Sequence, residues 1–230
     1  MAGDTAAASA ETPASRQAGL PLLAKRALDV TLAAAVLVLA SPVLLATAVA
    51  IFLESGRPVL FRGTRIGRGG RPFTMLKFRS MIVGADDGLH KEYVTRLLRG
   101  ADDRDFEPSL RKGRYKLVDD PRITRVGRVI RRLSLDEVPQ LLHVLSGKMS
   151  LVGPRPEVPY AVEAYGPSHW RRFEVLPGIT GLWQVNGRAE LPPAEMLRLD
   201  VEYVERWSFG LDCKLLLKTI PAVLRMVGSG

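Results

Sequence analysis

Residues 30–53 form an apolar segment, VTLAAAVLVLASPVLLATAVAIFL, in which 24 consecutive positions carry no charge. As a helix at about 1.5 Å per residue, the segment would be roughly 36 Å long, which is enough to cross the hydrocarbon core of a bilayer. Hydropathy alone therefore predicts an ordinary membrane-spanning helix.

Two further features of this segment favour a re-entrant helix over a spanning one. Pro42 follows Ser41 near the middle of the run, where it removes a backbone N–H, so a break is expected there, and the Ser41 hydroxyl can donate to the freed carbonyl. Basic residues, which prefer the cytoplasm, precede the run (Lys25, Arg26) and follow it (arginines at 57, 62, 65, 68 and 71). A helix broken at Ser41-Pro42 keeps both flanks on that side.

The apolar segment divides the chain into three parts. Residues 1–20 are expected to be a disordered tail, and the late apolar run argues against a cleaved secretory signal. Residues 21–56 would form the re-entrant helix, and residues 57–230 a cytoplasmic domain. The formal charge of +9 favours anionic partners, while the single cysteine excludes an intrachain disulfide and the three histidines lack the spacing of a zinc site.

A β-hairpin is predicted directly after the apolar segment. Apolar residues in 58–66 and 72–79 flank a glycine-rich turn at 67–70. The hairpin carries several cations, including Lys77 and Arg79, and their density beside a membrane segment makes contact with anions as plausible as a solvated face.

Residues 122–133, RITRVGRVIRRL, combine apolar residues at helical spacing with five interleaved arginines. This pattern predicts an amphipathic helix at an anionic membrane surface or facing a phosphorylated ligand. A nucleic-acid helix ranks third, because no nucleic-acid motif accompanies it. Residues 195–227 predict two more helices, whose apolar faces suit either core packing or interfacial docking.

Two adjacent carboxylates, Asp136 and Glu137, follow Ser134 at the start of a helical run. A capping box, with Ser134 as the N-cap, would explain them structurally. Pro139 conflicts with that cap, because it would occupy a position whose N–H is needed inside the helix, so a start at Leu135 or Asp136 is favoured. With Arg131 just upstream, this point could bring together a phosphoryl group and a metal ion.

Two downstream segments are candidates for ligand binding. Prolines on both sides of Arg155 hold its backbone extended and aim its guanidinium. Residues 177–188, PGITGLWQVNGR, read as a rigid polar loop: either a surface turn or a nucleotide or sugar pocket that would include Gln184 and Arg188.

Together these segments resemble the bacterial monotopic phosphoglycosyl transferases, the polyprenyl-phosphate sugar-1-phosphate transferases. The resemblance runs from about Lys25 to the C-terminus. Within that family, the chain is similar to the short form that initiates exopolysaccharide synthesis. Six ordered motifs carry it: KRALDV before the Ser-Pro-containing helix, KFRSM at 77–81, DDPRITRVGR at 119–128, RRLSLDEVPQL at 131–141, SLVGPRP at 150–156 and PGITGLWQVNGR at 177–188.

The resemblance implies a two-step reaction. Asp136 attacks the sugar-bearing phosphate of a UDP-sugar and releases UMP, and polyprenyl phosphate then takes the phosphosugar from the aspartyl enzyme. A carboxylate is a usable nucleophile toward phosphorus when cations and Mg²⁺ offset the charge. Asp136 is the expected metal ligand and Glu137 the second catalytic residue. The expected substrate- and phosphate-binding residues are Lys77, Arg79, Arg131, Arg155, Gln184 and Arg188.

The expected fold is α+β: a mostly helical monotopic membrane protein with a re-entrant helix, interfacial amphipathic helices and a small β-hairpin. The expected location is the cytoplasmic face of the bacterial inner membrane. Expected partners are a UDP-sugar, polyprenyl phosphate and membrane lipids, without nucleic acid, and a homo-oligomer is left open.

Departures from the family pattern and competing functions remain. His143 and Lys148 stand where Asn and Asp are usual, and residues 84–118, with a helix predicted near 86–99, show no family motif. One alternative is a non-catalytic basic membrane adaptor. Another is a glycosyltransferase with a nucleotide-sugar fold, which would release UDP, but the long βα alternation of such a fold is absent.

Overall fold

The computed structural model describes residues 19–85, 88, 91, 95, 96, 120–187 and 191–224. The N-terminal tail, Arg188 and most of the 84–118 stretch, including the helix predicted near 86–99, lie outside these residues. In the described part the longer helices are α1 (Leu20–Ser55), α2 (Arg125–Arg132), α6 (Pro193–Arg206) and α7 (Phe209–Leu224), and the shorter ones are α3 (Leu141–Leu145), α4 (Pro159–Val162) and α5 (Leu182–Asn186).

The apolar segment lies within α1, which runs without interruption through Pro42. Ser41 Oγ donates to the carbonyl of Val38 at 2.7 Å, the acceptor that Pro42 leaves without its usual partner. This hydrogen bond confirms the predicted compensation. Within the described residues α1 is the one helix that is long and apolar enough to cross a membrane; the break and re-entry of the chain stay predictions.

Strands β1 (Leu60–Ile66) and β2 (Pro72–Phe78) form the predicted hairpin, with Leu60 opposite Phe78 and Ile66 opposite Pro72. A 3-10 turn at Arg68–Gly70 joins them, and Gly69 and Gly70 adopt the positive φ angles that this turn needs. The hairpin therefore matches the sequence-based prediction in both strands and turn.

The basic amphipathic pattern at 122–133 becomes helix α2, which begins at Arg125 instead of Arg122 because Thr124 caps it. Thr124 Oγ1 accepts a hydrogen bond from Gly127 N at 2.9 Å. Glu54, near the end of α1, accepts a second one from Arg125 N at 2.8 Å. The carboxylate of Glu54 thus ties the end of the apolar helix to the start of α2.

A second, parallel sheet lies at the centre of the domain and was not predicted. Strands β3 (Ser150–Val152) and β4 (Gly178–Thr180) pair in parallel, and every β3 residue is buried. The main core gathers around this pair and includes Val144, Met149, Tyr203 and Leu215. Ala33 of α1 belongs to the same core, so the apolar helix packs directly on the residues around β3 and β4.

Helices α6 and α7 confirm the predicted pair of C-terminal helices, and one buried carboxylate holds them to the start of α1. Asp212 accepts hydrogen bonds from Lys25 Nζ at 2.6 Å, Tyr203 OH at 2.7 Å and Trp207 Nε1 at 3.1 Å. Lys25 Nζ also donates to the carbonyl of Val152 at 3.0 Å. The first turns of the apolar helix are therefore anchored in the core.

Lys25→Met should destabilise the protein by about 3 kcal/mol, because it leaves the buried Asp212 without its cation. In detergent micelles the melting temperature should fall by roughly 6–12 °C. Arg206→Ala removes an exposed ion pair with Glu202 and should change the melting temperature little. Equal melting temperatures for Lys25→Met and the wild type would show that this contact does not anchor the helix.

Candidate active site

Asp136 and Glu137 lie in a short 3-10 helix, Leu135–Gln140, that follows α2. Ser134 adopts a left-handed conformation with φ 56° and makes no side-chain cap, so the capping box is absent and the start at Leu135 agrees with the prediction. This element is a six-residue 3-10 helix, too short to present an extended set of aligned amides, so anion binding at a helix N-terminus stays a prediction.

The Asp136 side chain is 8% exposed, and within the described residues its carboxylate accepts no hydrogen bond. Burial, followed by the charge of Glu137, raises its pKa to about 6, although Lys77, Arg131 and Arg155 oppose this shift. Near neutral pH the group is therefore largely ionised and lacks the hydrogen bonds that would reduce its reactivity.

Glu137 is the partner of Arg155. Both carboxylate oxygens of Glu137 accept from this guanidinium, one of them from Nη1 at 3.2 Å. The charge of Glu137 raises the pKa of Arg155 above its ordinary value. The bidentate pair aligns Arg155 beside Asp136, which gives Glu137 a positioning role that the sequence left open.

The backbone of Arg155 is held by a buried arginine, Arg172. Arg172 Nη2 donates to the carbonyl of Arg155 at 2.7 Å and to Asp200 Oδ2 at 2.6 Å. Arg172 and Asp200 are both almost completely buried. This pair fixes the Pro154–Pro156 segment and, through it, the direction of the Arg155 side chain.

Two more cations face Asp136 from other elements. Lys77 extends from β2, with Nζ 5.1 Å from the centroid of the Phe61 ring, and burial lowers its pKa below the ordinary value. Arg131 lies in the last turn of α2 and, among the described residues, its side chain forms no hydrogen bond or ion pair. Its guanidinium is therefore available to an anionic ligand.

The sequence did not indicate which groups Arg79 and Gln184 contact. Nη2 of Arg79 donates to the carbonyl oxygens of Ser55 and Gly56, at 2.8 and 2.9 Å, at the end of α1. Gln184 Nε2 donates to the carbonyl of Ile179 at 2.8 Å, while its Oε1 is buried without a partner. Arg188 lies outside the described residues.

One cavity of about 2210 Å³ connects these side chains. Its polar lining includes Asp136, Glu137 and the predicted residues Lys77, Arg79, Arg131, Arg155 and Gln184. Part of its apolar lining comes from Leu28, Leu32 and Val36 on α1. The cavity thus joins a cationic pocket around a reactive carboxylate to the apolar helix, an arrangement that suits a phosphorylated molecule with an apolar chain.

Comparison with known proteins decides the family. The family model described as bacterial sugar transferase matches residues 20–226. This chain belongs to the bacterial sugar transferase family. The transferase class predicted from the six motifs is confirmed, and the Asp136 cavity is the candidate active site of a sugar transferase.

Several curated relatives of this sugar transferase are similar over most of the chain. The exopolysaccharide production protein ExoY of Rhizobium meliloti is 40% identical over 207 residues, covering 90% of this chain and 88% of that protein. A UDP-glucose:undecaprenyl-phosphate glucose-1-phosphate transferase of Caulobacter vibrioides is 42% identical, covering 88% and 70%. The undecaprenyl-phosphate galactose phosphotransferase of Salmonella typhimurium is 39% identical, covering 89% and 41%.

The sugar transferase offers a magnesium ion only a partial protein site. Within the described residues there is no group of three His, Cys, Asp or Glu side chains that could hold a metal. Glu137 is engaged by Arg155, which leaves Asp136 as the available hard oxygen ligand at the site. A single carboxylate fits Mg²⁺, which is commonly held by one or two carboxylates together with substrate phosphates.

Three residues that support the site of the sugar transferase were not predicted from the sequence. Arg172 and Asp200 lie outside the six motifs, and only a helical spacing of buried positions could have indicated Asp200. His143 was noted as a departure from the family pattern, but its role emerges only from the fold: Nε2 accepts the backbone N–H of Leu76 at 3.0 Å and so holds β2 next to Lys77. Burial lowers the pKa of His143, which keeps this acceptor nitrogen unprotonated.

Titration of Asp136 should show a pKa near 6 in the wild type. Burial and the negative charge of Glu137 both favour the protonated form, so Glu137→Gln removes one of these causes, and the pKa of Asp136 should fall. Nuclear magnetic resonance of protein labelled with [¹³C]aspartate would measure both values, with Asp136→Asn identifying the signal. A wild-type value near 4, or a rise in Glu137→Gln, would contradict this electrostatic description.

Proposed function

We propose that this protein transfers a sugar 1-phosphate from a UDP-sugar to polyprenyl phosphate, releases UMP and forms a phosphosugar–Asp136 intermediate. The observation that carries the proposal is the Asp136 carboxylate, which is buried, accepts no hydrogen bond from the part of the chain that the structure describes and is faced by Lys77, Arg131 and Arg155. A structural carboxylate in this position would be expected to pair with one of those cations. The names of the curated relatives support the same donor and acceptor classes.

In the first step, an oxygen of Asp136 attacks the sugar-bearing phosphorus of the UDP-sugar. A new P–O bond forms to the carboxylate, and the bond to the bridging oxygen breaks, so UMP leaves with that electron pair. Arg131 and Arg155 bind the diphosphate and offset the repulsion between two anions, while Lys77 stabilises the charge that develops on the transferred group.

In the second step, a phosphate oxygen of the lipid acceptor attacks the same phosphorus. The P–O bond to Asp136 breaks, the carboxylate is regenerated and the product is a polyprenyl diphosphate sugar. Leu28, Leu32 and Val36 line the side of the cavity from which an isoprenoid chain can enter. The reaction therefore joins a water-soluble donor to an acceptor held in the membrane.

Asp136, together with the donor's phosphate oxygens, would hold Mg²⁺. The ion would supply additional neutralisation of the diphosphate charge. The protein's own side chains position Arg155: Glu137 holds its guanidinium, and Arg172 holds its backbone.

The apolar helix is proposed to enter one leaflet at the cytoplasmic face of the inner membrane and return. Both of its ends are held by the same domain: Lys25 contacts Asp212 near the start, and Glu54 caps α2 near the end. A straight spanning helix would place these ends on opposite sides of the bilayer. In that location the reaction would be the first membrane step of exopolysaccharide or another envelope glycan.

Asp136→Ala should reduce UMP release from a UDP-sugar and polyprenyl phosphate by more than about 1000-fold, because the other described carboxylates that line the cavity, such as Glu137 and Asp200, are held in ion pairs. Glu195→Gln, on the exposed side of α6, is the matched control and should retain wild-type turnover. The assay is UMP formation with a panel of UDP-sugars.

Other results of this assay would point elsewhere. Full turnover by Asp136→Ala would remove the nucleophile role. Release of UDP in place of UMP would indicate a glycosyltransferase of another class. Absence of turnover with every UDP-sugar, combined with salt-sensitive membrane binding, would favour the adaptor function.

Membrane topology is tested by labelling single cysteines introduced at Leu22 and Arg68 in a Cys213→Ser background. With a membrane-impermeant maleimide, both positions should react only from the cytoplasmic side, because the two ends of α1 are held by one domain. Reaction from opposite sides of intact membranes would show that α1 spans the bilayer.

A further inference from the structure

One face of α7 carries an apolar stripe that the domain covers only in part. Its four residues follow the spacing of a helix face and all line the cavity that contains Asp136: Cys213, Leu216, Leu217 and Ile220. Leu217 is 69% exposed and Ile220 is 58% exposed, so a ligand can reach both side chains. Adjacent exposed apolar side chains of this kind mark sites of interaction.

The orientation of this stripe is fixed by the neighbouring face of α7, which packs on the core. Leu215 is almost completely buried, and the hydroxyl oxygens of Thr219 and Thr180 on β4 form a hydrogen bond at 2.7 Å. The exposed Lys214 and Lys218 lie on the other side of the stripe. The helix therefore presents a core face, an apolar stripe and a cationic edge in that order.

A matching stripe on α1 begins at the same point. Lys25, Leu28, Leu32 and Val36 share one face of α1, and the last three line the cavity. Lys25 Nζ contacts Asp212, the residue directly before the α7 stripe, at 2.6 Å. The two stripes therefore start side by side at one ion pair and continue along two helices that line the same cavity.

The surface between the two helices is also apolar. Leu151 of β3 and Ile179 of β4 line the cavity, and β3 contacts both α1 and α7. Leu151 N donates to Asp29 Oδ1 at 3.0 Å, which ties this strand to α1. We call the space bounded by the two stripes and by Leu151 and Ile179 the α1–α7 groove.

The chemistry of the α1–α7 groove distinguishes between the two substrates of the proposed reaction. A UDP-sugar is rich in hydroxyl and phosphate groups, which an apolar groove would leave without hydrogen bonds. The isoprenoid chain of the acceptor has no such groups and gains free energy by burying its methyl and methylene groups. Because the groove shares its cavity with Asp136, a chain lying in it carries its terminal phosphate toward that carboxylate.

We propose that the isoprenoid chain of the lipid acceptor binds in the α1–α7 groove, with Leu217 and Ile220 as its outer contacts. This inference rests on the proposed function and adds α7 as the second wall of the acceptor site. Helix α1 brings the groove to the membrane, and α7 holds the chain against α1. Lys214 and Lys218 remain outside the groove, where their ammonium groups face water or lipid headgroups.

The kinetic test separates the two half-reactions. Leu217→Ser and Ile220→Ser should each raise the KM for undecaprenyl phosphate by about 5- to 30-fold, because apolar contact with the chain is lost. The single-turnover burst of UMP from a UDP-sugar without acceptor should keep its amplitude and rate, which also shows that the variants fold. Val129→Ser removes an apolar side chain that is 56% exposed on α2 and lies outside the cavity lining. This matched control should retain the wild-type acceptor KM.

A direct binding test uses a photo-crosslinking residue, p-benzoylphenylalanine, in place of Ile220 or of Val129. At Ile220 it should capture radiolabelled undecaprenyl phosphate, and excess unlabelled undecaprenyl phosphate should displace the label, whereas excess phosphatidylglycerol should not. At Val129 no label should be displaced by undecaprenyl phosphate. Capture at Ile220 does not require turnover, so it tests the groove independently of the reaction.

Other occupants of the groove predict different results. An increase in KM in phospholipid nanodiscs but not in alkyl maltoside detergent would assign the stripe to the bilayer surface and overturn the proposal. The same increase in Val129→Ser would do so as well. A wild-type dimer that Leu217→Ser converts to a monomer, measured by light scattering in detergent, would assign the stripe to a contact between two copies of the chain and overturn the proposal.

Two further outcomes would also overturn the acceptor groove. These are an unchanged acceptor KM in both α7 variants and a label at Ile220 that excess undecaprenyl phosphate does not displace. A wild-type protein that releases no UMP from any UDP-sugar would instead contradict the proposed function, and the displacement of the label at Ile220 would still test the groove.

Discussion

The balance of charge around the buried carboxylate of Asp136 governs the rest of the site. Removal from water and the adjacent Glu137 favour the protonated acid, while three cations favour the carboxylate, and the resulting pKa of about 6 keeps the group ionised near neutral pH. A stronger cation contact would make Asp136 a poor nucleophile, and a weaker one would keep it protonated. Glu137 maintains this balance by engaging Arg155 directly.

The elements that carry those cations are held in place from several directions. Arg172 and Asp200 fix the backbone of Arg155, and His143 fixes β2 beside Lys77. The end of α1 adds a third constraint, because Glu54 caps α2, the helix that carries Arg131. The position of the apolar helix is therefore linked to the position of Arg131 through a single carboxylate.

Local chemistry explains which parts of this structure the sequence could predict. The hairpin, α2 and the two C-terminal helices follow from periodicity and from turn residues that act over a few positions. The conflict between Pro139 and a Ser134 cap likewise predicted a start at Leu135 or Asp136, and the helix begins at Leu135. These features depend on neighbours in the chain, so a single sequence is sufficient to indicate them.

Contacts between distant segments were beyond sequence reasoning. The parallel β3–β4 pair joins residues that are nearly thirty positions apart, and the partners of Asp212 include a lysine 187 residues away. The contact of Arg79 with the end of α1 is another long-range contact that the sequence did not predict. The motif around Arg79 indicated a phosphate neighbour, whereas this contact depends on how the hairpin packs against the helix. The family resemblance supplied the proposed roles, and the fold showed that Arg172 and His143 support the segments that carry Arg155 and Lys77.

The proposed reaction requires Asp136 to carry the phosphosugar between donor and acceptor. The most direct measurement is rapid-quench labelling with a UDP-sugar that carries ³²P in the sugar-bearing phosphate, followed by peptide mapping. We expect one equivalent of enzyme-bound label on the peptide that contains Asp136, formed together with UMP without acceptor and discharged when polyprenyl phosphate is added. Label on another peptide, or UMP formed only when acceptor is present and with no labelled enzyme, would contradict it.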